Sequence, residues 1–191
     1  MIRDLLARMI EGLFQPAASA RRILAANHGV DTAMLFVVLA YAVQAIIQIL
    51  LPGARNLPEG VEQVPVTLHL LNIIIQAMVI GVLSLMVFGA GRIFGGTGSR
   101  KQAFVIVAWH TLVTTLLSPV FLFGMAQIAA GQPVSPVVLV LLVVTGSFWL
   151  WVLAVYTAVL HGFRNPWGVL GVMLGISFLV SALLMSMVPA P

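Results

Sequence analysis

The chain has 191 residues and a formal net charge of +4, yet only 7% of its residues are charged while 61% are hydrophobic. A typical soluble domain carries about 25% charged residues, so this composition excludes a water-soluble globular fold. Cysteine is absent, which excludes disulfides, thiolate chemistry and cysteine-ligated metal centres.

Residues 1–14 have the pattern of an amphipathic helix. Apolar residues recur at three- and four-residue spacing and charged residues occupy the other face. The segment is too short and too charged to span a bilayer, so it lies in the membrane interface, which we favour, or docks a partner. The candidate membrane-surface or partner contacts are Leu5, Leu6, Met9, Ile10, Leu13 and Phe14. A second short helix is expected from Pro16 onward.

Five long apolar runs follow, each near the roughly 20 residues that a membrane-spanning helix needs. We therefore expect an all-α polytopic membrane protein. A cytoplasmic amphipathic N-terminal segment (1–31) precedes a five-helix transmembrane domain (32–191) with spans at 32–51, 67–90, 103–130, 137–160 and 168–188. Ser99 and Gln102 have capping-box spacing, and Ser135 and Asn165 each precede a proline at a helix start. Pro119 should kink the third span.

The basic residues indicate the orientation of the spans. Eight of the nine Lys and Arg residues lie in the N-terminal segment, the second loop or the fourth loop, and only Arg55 lies on the other side. This bias predicts a cytoplasmic N-terminus and an external C-terminus. The basic residues form no stripe with interleaved aromatic residues, so no nucleic acid partner is expected.

No motif in the chain has the spacing of an active site or cofactor site. The glycines of segment 88–95 resemble a dinucleotide fingerprint, but the last glycine is one position late and no acidic residue follows at the required distance. The spans contain no Asp, Glu or Lys, and the four histidines are separated by about 40 residues or more. We therefore predict no enzyme activity, no cofactor and no metal site.

The spans do contain neutral polar residues at helical spacing. They form either interhelical hydrogen bonds, the interpretation we favour, or the lining of a polar path or small-ligand cavity. The members of this set are Gln44, Gln48, His69, Asn72, Gln76, His110, Thr111, Thr115 and Ser118. A small-residue face at Gly168, Gly171 and Gly175 predicts close helix packing, within the bundle or in a homo-oligomer.

Several segments together resemble a known family. The sequence Phe-Gln-Pro at 14–16, Arg-Arg-Ile-Leu at 21–24, the segment 95–104 entering the third span, and the proline within that span are similar to the bacterial branch of the Yip (Ypt-interacting protein) family. The resemblance implies five spans, a cytoplasmic N-terminus and a role in membrane organisation or traffic through protein partners. We expect the protein in a bacterial inner membrane. The Asp-Leu-Tyr-Gly-Pro signature of the eukaryotic members is absent, so small GTPases are not expected partners.

These observations predict a non-catalytic scaffold or accessory subunit that binds other integral membrane proteins or organises the lipid bilayer. The alternative is a permease or channel for a small neutral or anionic solute. A water-filled cavity among the polar residues would favour the permease, whereas a packed centre would favour the scaffold. An intramembrane enzyme is the weakest of the three interpretations.

Overall fold

A computed structural model describes residues 2–50, 66–129 and 133–187, and within these ranges the chain is helical and contains no strand. We number the helices in chain order: α1 Ile2–Phe14, α2 Pro16–Ala25, α3 Val30–Leu50, α4 Val66–Ile93, α5 Arg100–Thr114, α6 Ser118–Ala129, α7 Pro136–His161 and α8 Pro166–Met187. Each of the helices that form the predicted spans begins one to three residues before the predicted apolar run.

The membrane-protein fold class is confirmed. Four described segments are long and apolar enough to cross a bilayer: Val30–Ile47, Ile74–Ile93, Arg100–Gly124 and Pro136–His161. In α8 the described apolar segment, Pro166–Ile176, is shorter than a span. The fold is therefore an all-α polytopic bundle, and a fifth span along α8 stays a prediction.

Local sequence signals determine where several helices begin and bend. Ser99 and Gln102 form the predicted capping box at the start of α5, and the Ser135 side chain accepts from the Val138 amide at the start of α7. Between α5 and α6 the chain tightens into a 3-10 turn at Thr115–Leu117, directly before Ser118 and Pro119. A proline lacks the amide needed to continue the hydrogen-bond ladder, which explains the predicted interruption.

Helix α5 is the centre of the bundle. It packs against α1, α2, α3, α4 and α7, and its side chains at Ile106, Val107, Ala108, Leu112 and Val113 are completely buried. Helix α6 packs on α3 and α7, and α8 packs along α7. The outward faces of α3, α4 and α7 expose many large apolar side chains, as expected for surfaces in contact with lipid.

One end of the bundle collects the basic residues. The Thr97 amide donates to the His161 carbonyl oxygen at 3.3 Å, which brings the α4–α5 and α7–α8 connections together. Lys101 donates from Nζ to Oδ1 of Asn27 at 3.3 Å, so the α2–α3 turn lies at the same end. We call this end, which includes Arg92, Arg100, Lys101 and Arg164, the basic end.

Candidate functional site

The N-terminal helices are part of the bundle core. Helices α1 and α2 form a hairpin that packs on α5 and α7, and an ion pair between Glu11 and Arg22 closes it on its exposed side. The hydrogen bond and the charge of Glu11 raise the pKa of the Arg22 guanidinium above its ordinary value. Helices α1 and α2 therefore share a hydrophobic core with the membrane helices.

A buried hydrogen-bond network holds this hairpin in place. The Trp109 indole donates from Nε1 to Oγ of Ser19 at 2.9 Å, and the Tyr156 hydroxyl donates to the Gly12 carbonyl oxygen at 3.1 Å. Tyr156 and Ser19 also lie within hydrogen-bond distance of each other, at 3.4 Å. A Cβ at Gly12 would lie 2.7 Å from Cγ2 of Val113, so glycine is what permits α1 to approach α5 this closely.

The hairpin divides the apolar face of α1 into two halves. Met9 and Leu13 are buried and Leu5 is half-buried against the core, whereas Leu6, Ile10 and Phe14 are exposed. The prediction that all six residues contact a partner or the membrane surface is therefore wrong for Met9 and Leu13. Both side chains pack in the hydrophobic core of the bundle. We call Leu6, Ile10 and Phe14 the exposed α1 strip.

The predicted polar cluster is only partly interhelical. The hydroxyls of Thr111, Thr115 and Ser118 donate to carbonyl oxygens of Val107, Thr111 and Thr115 in the same span, at 2.7–2.9 Å. The prediction of bonds from these hydroxyls to another helix is wrong, because Ser and Thr in a helix can reach the carbonyl three or four residues earlier.

His110 does connect two helices. It is completely buried, and its Nε2 lies 3.2 Å from the Trp149 carbonyl oxygen on α7, so this nitrogen carries the donated hydrogen. Its Nδ1 has no hydrogen-bond partner among the described residues. Gln44 and Gln76 are half-buried, and the side chains of Gln48, His69 and Asn72 lie outside the described part of the structure.

The His161 side chain at the basic end is hydrogen-bonded on both ring nitrogens and closely surrounded by glycines. The His161 Nε2 donates to the Val87 carbonyl oxygen on α4 at 3.1 Å, and the Gly98 amide donates to Nδ1 at 3.3 Å. A Cβ at Gly91 or Gly96 would lie within 2.1 or 2.4 Å of a ring nitrogen, and one at Gly98 within 3.0 Å of the ring. These three glycines, which we call the glycine cradle, leave the space that the imidazole occupies.

Sequence reasoning missed this role of the glycines. The segment 88–95 lacks the spacing of a dinucleotide fingerprint, and its glycine density needed another explanation. His161 lies more than 60 residues farther along the chain, and only the closure of α7 onto α4 brings it there. A cluster of glycines without the spacing of a nucleotide-binding motif is itself the signal, because it predicts close approach of a bulky neighbour.

A lateral groove opens beside the cradle. It has a volume of about 830 Å³ and lies between α4 and α8, with α7 contributing Trp149, Leu150, Leu153 and Thr157. Its lining is mostly apolar, and Arg164 and Asn165 line it at the basic end. Within the described residues, no group of three His, Asp or Glu side chains is placed to hold a metal ion.

The arrangement is a packed helical core with its N-terminal hairpin built in, and the family profile of the Yip1 domain matches residues 10–187 of it. The chain belongs to the Yip1 domain family. The match begins within α1 and includes α2, in agreement with a hairpin that shares the domain core. No curated protein and no solved structure matches this Yip1 domain significantly.

The small-residue face of the Yip1 domain is not packed against the described chain. A Cβ at Gly171 or Gly175 would meet nothing within 4 Å, and one at Gly168 would meet only the Asn165 side chain at 4.0 Å. Close packing of this face within the bundle is therefore not observed in the described residues. Gly168 instead lines the lateral groove.

Proposed function

We propose that this Yip1-domain protein is a non-catalytic membrane scaffold or accessory subunit that binds other integral membrane proteins. The observation that carries the proposal is the packed centre of the bundle. Helix α5 packs against five other helices, and His110, a polar residue in its C-terminal half, is completely buried between α5 and α7. A permease would require a polar path where this packing lies.

The exposed α1 strip supplies the contact surface in this proposal. Leu6, Ile10 and Phe14 repeat at four-residue spacing on a helix whose opposite side is fixed in the core, so they form a rigid apolar ridge. A helix held in this way presents its exposed side chains without an ordering cost on binding. Charged neighbours such as Arg3 and Arg8 keep the ridge at the membrane interface.

Leu6→Asp is expected to remove at least one membrane protein that copurifies with the native chain in mild detergent, because it places a carboxylate on the ridge. The matched control is Arg8→Gln, which changes the net charge by the same one unit on another exposed side of α1. The copurified proteins are quantified by mass spectrometry for the native chain and both variants.

The unfolding temperature of Leu6→Asp should stay close to that of the native protein, since Leu6 is exposed. If every partner is recovered equally with Leu6→Asp and with the native chain, the proposal that the exposed α1 strip binds these partners is wrong. If nothing copurifies and reconstituted vesicles show a solute flux, the permease interpretation replaces the scaffold.

The proposal also includes the orientation of the bundle, with the basic end in the cytoplasm. Because the native chain has no cysteine, single cysteines report topology without interference. Thr97 at the basic end and Pro133 at the opposite end are both exposed. In intact cells an impermeant maleimide should label Pro133→Cys, and it should label Thr97→Cys only after permeabilisation. The reverse pattern would contradict the orientation.

A further inference from the structure

The lateral groove combines an apolar interior with one charged edge. Along α4 and α8 it is lined by Leu83, Met86, Val172, Met173 and Ile176, all apolar. Its volume of about 830 Å³ is in the range of sites that enclose a small organic ligand, roughly 300–1,000 Å³. Since the groove runs beside membrane-spanning helices, an apolar chain that enters it comes from the bilayer.

The basic end of the groove differs from the rest in chemistry. Arg164 is exposed, lines the groove and forms no ion pair with any described acidic residue. The described acidic residues, Asp4, Glu11 and Asp31, lie on α1 and α3 and do not line the groove. The groove therefore carries an uncompensated positive charge where the spans end.

Aromatic residues place this edge at the membrane–water boundary. The Trp151 and Trp167 rings lie 4.3 Å apart between centroids and join α7 to α8, and the Trp167 side chain is 66% exposed. Exposed tryptophan at the end of a span is typical of the headgroup level. A molecule in the groove would have its polar part beside Arg164 and its apolar part between α4 and α8.

We propose that the lateral groove binds an anionic phospholipid, with its phosphate at Arg164 and Asn165 and an acyl chain along Trp149 and Leu153. Basic pockets between membrane helices bind anionic headgroups through charge, and the apolar lining matches hydrocarbon. This lipid site goes beyond the scaffold function, because it uses α4, α7 and α8, whereas the proposed protein contact uses α1.

The test compares two phospholipids with identical acyl chains. The two lipids are anionic phosphatidylglycerol and zwitterionic phosphatidylcholine. Each is titrated separately into the purified full-length protein in mild detergent, and the rise in unfolding temperature gives an apparent affinity. The native protein should bind phosphatidylglycerol more tightly than phosphatidylcholine. Arg164→Gln should weaken phosphatidylglycerol binding by about fivefold, the loss expected for about 1 kcal/mol of headgroup attraction. Arg21→Gln, which removes an exposed arginine outside the groove, should leave it unchanged.

A second pair of variants tests the apolar part. Gly168→Phe places a ring in the groove and should weaken both lipids, whereas Gly171→Phe on the same helix lies outside the lining and should not. Each lipid is compared with the lipid-free state of the same variant, so a change in basal stability does not affect the result.

Three outcomes would overturn the proposal. The first is equal affinity for the two lipids in the native protein. The second is full protection by soluble glycerol phosphate, which would show a free anion site. The third is a dimer of the native chain that Gly168→Phe dissociates, which would show that a second copy fills the groove. None of these concerns copurification through Leu6, so this test and the scaffold test fail independently.

Discussion

Gly91→Ala is expected to lower the unfolding temperature of the protein in detergent markedly. The added methyl group would lie 2.1 Å from Nε2 of His161 and 2.3 Å from its Cδ2, so α4 and α7 must separate or the imidazole must leave its position. Overpacking of this kind costs about 1–3 kcal/mol. Displacement of the ring would also break its hydrogen bond to the Val87 carbonyl oxygen, at a further cost of about 0.5–1.5 kcal/mol.

Gly89→Ala is the matched control for this prediction. Gly89 lies two residues before Gly91 on α4, and a Cβ there would meet nothing within 4 Å. Alanine in a helix restricts the unfolded chain, so Gly89→Ala should leave stability unchanged or raise it by about 0.4–1 kcal/mol. The two variants differ only in what the methyl group meets.

The His161→Ala background identifies the cause. Without the imidazole there is room for a methyl group at residue 91, so Gly91→Ala should cost much less in that background than in the native chain. If the cost of Gly91→Ala is the same in both backgrounds, the methyl group acts on something other than His161, and the glycine cradle is not the reason for glycine at this position.

The features that could be predicted from sequence are those encoded within a few residues. Hydropathy runs indicated the four described segments long enough to span a membrane, because a bilayer accepts only long apolar helices. The capping box at Ser99 and Gln102 was predictable because both partners lie within one helical turn. The interruption before Pro119 follows from the chemistry of that single residue.

The features that could not be predicted depend on which distant segment lies opposite. Leu13 and Phe14 are adjacent and both apolar, yet one is buried in the core and the other is exposed. No local pattern separates them, because the difference arises from where α1 meets α5. The partners of Ser19 are likewise Trp109 and Tyr156, about 90 and 137 residues farther along the chain.

The stripe of hydroxyl residues on the third span was a different kind of error. Thr111 and Thr115 have the spacing of an interhelical contact, and that spacing alone does not show where a hydroxyl donates. A Ser or Thr hydroxyl can donate to a carbonyl oxygen of its own helix at little conformational cost. Such a residue can therefore face apolar neighbours without a hydrogen-bond partner on another helix.

Leu13→Asp is expected to destabilise the protein strongly, whereas Phe14→Asp should not. Leu13 is 6% exposed against the bundle core and Phe14 is 76% exposed, although both belong to the last turn of α1. Leu13→Asp removes core packing and buries a carboxylate without a partner, a combined loss on the order of 3–5 kcal/mol. The fraction of folded, monodisperse protein after heating in detergent measures both effects.

This adjacent pair decides whether α1 belongs to the domain core. Both variants introduce the same charge in the same turn, so any effect of that charge on insertion or on the membrane surface applies to each. If they lose stability equally, α1 lies on the membrane surface and the hydrogen bond from Tyr156 to Gly12 does not hold it. If only Leu13→Asp unfolds, the hairpin is part of the core. Phe14→Asp then remains a folded protein in which loss of a partner reports contact at the α1 strip.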